Sequence, residues 1–142
     1  MSASSVIRFE EGWRPTVYSD TEGVATIGYG FNVDERGGGM PQKIGDIWLE
    51  DELIWRESDL RELFGPESWV MMGDARQAAL ISMHYQLGAA GFRSFERMIG
   101  AIKQGLWLTA SKECLASKAA GQTPSRYGRN ARALLTGEWQ WT

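Results

Sequence analysis

Hydrophobic and polar positions change period along this chain, and the changes mark its elements. Val6, Ile7 and Phe9 suggest the apolar face of a short first helix, with Ser4 or Ser5 as its cap. Gly12 ends that helix and Pro15 confirms the break. Val17-Tyr18 and Ala25-Thr26-Ile27 read as short strands, joined by the turn-forming run Asp20-Thr21-Glu22-Gly23. Gly28 and Gly30 interrupt the second strand, which marks either a bend or a close approach to the backbone.

The run Asp34-Glu35-Arg36-Gly37-Gly38-Gly39 predicts a loop, read as a cleft rim or a plain connector. It lacks the Lys-Ser/Thr and the strand-to-helix setting of a phosphate-binding loop. A helical pattern follows from about Leu49 to Phe64, ended by Gly65-Pro66. Asp74 to Leu87 is the clearest helix, with Ala75, Ala78, Ala79, Leu80, Met83 and Leu87 suited to burial and Gly88 as terminator. It reads as the central helix of a helical lobe, with His84 at the surface or the edge of the core. Further helices are expected over Ser94–Gln104, over Thr109–Ser117 with Thr109 as cap, and over Thr123–Leu135. The last has Thr123 at its N-cap and Pro124 at its first position, and Gly137 closes it.

Composition narrows the possibilities. A chain of 142 residues, 43% hydrophobic and 23% charged, suits one domain with a sizeable core. The single Cys114 excludes an internal disulfide, and the single His84 excludes a multi-histidine metal site; no cofactor is expected. Seven tryptophans are many for this length, and most are expected in the core, with some free to act as platforms. A net charge of −3 argues against a nucleic-acid partner. Arg126, Arg129 and Arg132 recur every three residues, as on a solvated helix face. No apolar run is long enough to span a membrane, and the start Met1-Ser2-Ala3-Ser4-Ser5 lacks the basic and apolar regions of a signal peptide. The expectation is a monomer made in the cytoplasm.

Chemistry concentrates between Glu10 and Gly30. A carboxylate at a helix end, a second on a tight turn and a hydroxyl on the next strand suit acid/base hydrolysis of a glycosidic bond. By spacing alone, a hairpin with ordinary surface acids reads the same way, and periodicity does not choose between Glu10 and Glu11.

Glu11-Gly12, Tyr18, Asp20-Thr21-Glu22-Gly23 and Thr26-Ile27-Gly28-Tyr29-Gly30 resemble the N-terminal signature of the bacteriophage-type lysozymes, glycoside hydrolase family 24. Ala78-Ala79-Leu80-Ile81-Ser82-Met83 with Gln86-Leu87-Gly88, then Gln122-Thr123-Pro124-Ser125-Arg126 and Thr136-Gly137-Glu138-Trp139, agree with it. Residues 32–72 match poorly. The resemblance implies a lysozyme-like α+β fold in a single domain over residues 1–142. A small β-hairpin lobe (about residues 12–45) would face a larger helical lobe (about residues 1–11 and 46–142) across a cleft.

The resemblance assigns Glu11 as the general acid, kept protonated by burial, with Asp20 ionised on its turn and Thr26 holding a water. Tyr85 and Gln86 occupy the place of a cleft-lining aromatic and amide, and Phe31 borders the cleft where the family commonly has a histidine in a structural ion pair. Arg126 and Glu22 are the supporting residues, with Arg126 expected to contact the Glu11 region. The implied function is an endolysin that hydrolyses the β-1,4 bond between N-acetylmuramic acid and N-acetylglucosamine of peptidoglycan, helped to the wall by a holin and lysing the host. The alternatives are a lytic transglycosylase, and a non-catalytic wall-binding or virion-structural protein on the same fold.

Overall fold

The computed structural model describes residues 2–33 and 40–142, so the glycine-rich loop expected at 34–39 lies outside the described residues. The chain forms two compact units, Met1–Leu49 and Glu50–Thr142.

The first unit opens with α1 (Ala3–Glu11). Its cap is Ser2 rather than Ser4 or Ser5: Ser2 and Ser5 exchange hydrogen bonds as a capping box. Gly12 ends the helix as expected, but Val6, Ile7 and Phe9 are exposed, Phe9 by 85%. Strands β1 (Arg14–Ser19), β2 (Ala25–Gly28) and β3 (Phe31–Asn32) form an antiparallel sheet in that order. Pro15 lies inside β1 rather than before it. It is tolerated because β1 is an edge strand whose register slips between Arg14 and Tyr18. The two-residue β3 is too short to leave a periodic signal in the sequence. Helix α1, expected with the other helices, groups with this sheet.

Helix α2 (Gln42–Phe64) starts seven residues before Leu49, and the Pro41 carbonyl accepts the N–H groups of Ile44 and Gly45. The second unit continues with α3 (Pro66–Met72), α4 (Asp74–Arg93), α5 (Glu96–Lys103), α6 (Trp107–Leu115), α7 (Lys118–Gln122) and α8 (Pro124–Thr136). Pro66 both stops α2 and starts α3, because proline fits the first turn of a helix. Gly88 does break α4, with φ 74° and ψ 169°, but the chain re-enters helix and runs to Arg93. Helix α6 begins at Trp107 and is not capped by Thr109. Ser117, expected inside that helix, instead caps α7. Thr123 and Pro124 open α8 and Gly137 closes it in left-handed geometry; Thr123 makes no side-chain cap bond.

Every buried apolar side chain among the described residues belongs to the second unit. Leu60, Trp69, Leu80, Met83, Phe92, Met98, Tyr127 and Leu134 fill it, where α4, α6 and α8 pack together. Ala79 is buried as expected, Ala75 and Leu87 partly so, while Ala78 is exposed. Burial pushes the Cys114 thiol up to about 12, as an apolar site disfavours a thiolate. The tryptophans depart from expectation: Trp13, Trp48, Trp55 and Trp141 are exposed, Trp107 and Trp139 are half-buried, and Trp69 is in the core.

Candidate active site

The first unit contains Glu11, Asp20, Glu22, Thr26 and Phe31; Tyr85, Gln86 and Arg126 lie in the second. Asp20 opens a β-turn that Gly23 closes by donating its N–H to the Asp20 carbonyl at 3.0 Å. The Asp20 carboxylate then folds back over the turn. Its Oδ1 accepts the backbone N–H groups of Glu22 and Val24, each at 2.8 Å. Glu22 therefore supports Asp20 through its main chain, and its side chain is exposed. No described residue bonds Oδ2.

Thr26 sits on the central strand, between Tyr18 on β1 and Asn32 on β3, and is buried. Its hydroxyl donates to the Val24 carbonyl at 3.0 Å, and the same carbonyl accepts the Asp20 N–H at 3.0 Å. Val24 is thus a main-chain hub. Its N–H holds the Asp20 carboxylate, and its C=O holds both the Asp20 backbone and the Thr26 hydroxyl.

Glu11 ends α1, and its carboxylate lies against Gly30. A Cβ at Gly30 would run into the Glu11 carboxylate, 2.9 Å from Cδ. Gly28 plays the same part for two rings: a Cβ there would lie 2.9 Å from the Phe31 ring and 3.6 Å from Trp13. Both glycines have φ near +70°, which other residues rarely adopt. The close approach that these glycines permit is therefore made by the chain's own side chains. Glu11 itself is exposed, contrary to the burial expected of the acid, because it lies in the final turn of a helix whose described apolar side chains are themselves exposed.

In the second unit, Arg126 is half-buried and reaches across from α8 to α4, donating to Ser82 Oγ at 3.1 Å and the Ser82 carbonyl at 3.0 Å. It is thus not simply part of a solvated arginine face. Gln86 donates to Thr123 Oγ1 at 3.3 Å, while its buried Oε1 finds no partner among the described residues. Tyr85 is half-exposed. Its neighbour His84 is fully buried rather than at the core edge. His84 is reconciled with burial by hydrogen bonds: Nε2 meets Asp59 Oδ2 at 2.8 Å, and Nδ1 meets Arg56 at 3.2 Å. Arg93 clamps both oxygens of Asp59 at 2.7 and 2.8 Å. The Arg93 bond, with help from His84, holds the Asp59 carboxyl down at about 2.

The sequence profile of the phage lysozyme family matches residues 8–132. The chain belongs to that family. Membership supports lysozyme-type glycoside hydrolysis, and the mainly helical structure with a small antiparallel sheet fits the lysozyme-like α+β fold. Among its relatives is the pre-baseplate central spike protein Gp5 of Enterobacteria phage T4, 30% identical over 96% of this chain. The alignment spans only 28% of that spike protein. Two Dictyostelium discoideum proteins described as probable T4-type lysozymes 1 and 2 are 27% and 25% identical, each aligned over 96% of this chain and 95% of its own length. Sequence reasoning missed Val24, whose role is carried by its main chain, and the Asp59–His84–Arg56 linkage. Of the latter, only the i,i+4 spacing of Glu52 and Arg56 leaves a local sign.

Proposed function

We propose that this lysozyme-family chain hydrolyses the β-1,4 bond between N-acetylmuramic acid and N-acetylglucosamine of bacterial peptidoglycan. Glu11 is the general acid, and Asp20 and Thr26 present the attacking water. The observation that carries this reading is the hub at Val24. With its proton directed at the Val24 carbonyl, the Thr26 oxygen is left as an acceptor for one hydrogen of a water. Asp20 Oδ2 accepts the other. A water held by both hydrogens turns its lone pair outward, toward the anomeric carbon. As that O–C bond forms, Asp20 takes the water's proton, and Glu11 protonates the departing sugar oxygen as the glycosidic bond breaks.

A water between base and sugar makes this a single displacement with inversion, which requires carboxyl groups roughly 6.5–9.5 Å apart. NMR of the first-formed sugar is expected to show the α-anomer from the β-linked strand; a β-anomer or a glycosyl-Asp20 adduct would make Asp20 the nucleophile. An anhydro sugar, detected by mass spectrometry, would instead identify a lytic transglycosylase.

The biological setting within this reading is an endolysin, held in the host cytoplasm until a holin lesion opens a path to the wall. A turbidity assay on Gram-negative cells expressing the protein tests both halves. Chloroform-treated cells should clear and intact cells should not. Glu11→Gln should lose about 10²–10⁴-fold in rate, while Glu10→Gln stays close to wild type. Full activity of Glu11→Gln sinks the assignment of the acid, and clearing of intact cells sinks the mode of delivery. The alignment with part of the pre-baseplate central spike protein favours a second setting, carriage in a virion. Recovery of the protein in purified phage particles would support that setting.

A further inference from the structure

The second unit contains, beside Tyr85, a tryptophan and an arginine that the proposed chemistry does not use. Trp55 and Tyr85 are exposed by 43% and 46%, and the Arg56 guanidinium stacks on both rings, 4.4 Å from the Trp55 centroid and 4.7 Å from that of Tyr85. Trp55 and Arg56 are both held by hydrogen bonds. Glu52 accepts from the Trp55 indole N–H at 3.1 Å and from Arg56 at 2.7 Å. Arg56 donates to the His84 carbonyl at 3.0 Å and faces His84 Nδ1 at 3.2 Å. Arginine can only donate, which assigns the lone pair to Nδ1 and the proton to Nε2, where Asp59 accepts it. The His84 ring also meets Trp55 edge-on, with centroids 5.3 Å apart.

We propose that Trp55 is a further direct contact for the glycan strand, with Arg56 as the positioning residue that joins it to Tyr85, the cleft-lining aromatic the resemblance implies, in one saccharide-stacking surface. The inference rests on the reading of the chain as a peptidoglycan hydrolase. Rigid rings with exposed apolar surface match the C–H faces of pyranose rings, and prior ordering lowers the entropy lost on binding. Charge selects the ligand class. Arg56 is paired with Glu52 and Arg93 with Asp59, so neither guanidinium offers an unpaired positive charge to an anion. A guanidinium between the two rings also breaks the patch, unlike the contiguous apolar face of a protein interface. A neutral N-acetylhexosamine fits both features.

The test uses full-length protein and soluble, uncrosslinked glycan strands. Trp55→Ala is expected to raise KM about tenfold, a loss of about 1.4 kcal/mol in binding, while kcat stays within about twofold. Trp55→Phe should restore most of the loss. Arg56→Lys, which keeps the charge but not the planar stack, should raise KM in the same way with Trp55 intact. An unchanged KM in Trp55→Ala overturns the inference.

Binding separates this inference from the hydrolase reading. With Glu11→Gln protein, adding triacetylchitotriose should shift the Trp55 indole N–H resonance. That shift would support the surface even if the wild type proved inactive on wall. No shift at millimolar sugar, or a shift that follows protein concentration without sugar, overturns it.

Discussion

At the scale of single residues, the position of the proposed acid is set by a neighbour that has no side chain. The Glu11 carboxylate rests where a Gly30 Cβ would be. Gly30→Ala should therefore displace the carboxylate and strain a backbone at φ +70°. Misplacing a catalytic group by about 1 Å costs about 10²-fold in rate. The strain is separable from the collision by Gly105→Ala, since Gly105 also has φ +70° but open space where its Cβ would go. Both variants should lose about 1–2 kcal/mol in denaturant melts, and only Gly30→Ala should lose kcat. Equal kcat in the two variants would show that the contact with Glu11 is incidental.

At the scale of elements, α2 and α4 are joined through Asp59, His84 and Arg93. The Asp59 carboxyl, held at about 2, lies below its ordinary 3.8, so it stabilises the fold fully above that ordinary value. The contribution is lost as pH falls through the folded value, when the carboxyl protonates. Asp59→Asn should thus be less stable than wild type at pH 5, by at most about 2 kcal/mol given partial solvation, and the gap should narrow as pH drops from 4 to 2. A gap that stays constant in acid melts would mean that Asp59 acts through shape and not charge.

This linkage also shows where the sequence stops being legible. Asp20, Gly23 and Thr26 were readable because a turn and a hairpin are local, and Pro124 and Gly137 bounded α8 for the same reason. His84 looked peripheral because its partners Asp59 and Arg56 are 25 and 28 positions away. Exposed Trp55 was unreadable as exposed because apolar character implies burial only on average.

At the scale of the whole molecule, the proposed hydrolytic residues and the apolar core belong to different units. The sheet of β1, β2 and β3 has few ladder bonds and, among the described residues, no fully buried large apolar side chain. Small sheets of this kind have little independent stability. Native-state hydrogen exchange should therefore show two levels. Amides of α4, α6 and α8 should open only with global unfolding, and those of β1–β3 through smaller local openings. Equal protection in both units would mean that the sheet draws its stability from the helical core. The lysozyme family profile, covering residues 8–132, runs through both units, so recognition of the family did not depend on this contrast.

The hub at Val24 has a consequence for genetics. Its three contacts to Asp20 and Thr26 are made by main-chain N–H and C=O, which every residue except proline can provide. A saturation library selected for lysis should accept small, large and polar residues at position 24 with modest change, and reject Val24→Pro. In an alanine scan the residue that knots the proposed water site would look dispensable. Its importance would be visible only to the one substitution that removes a hydrogen.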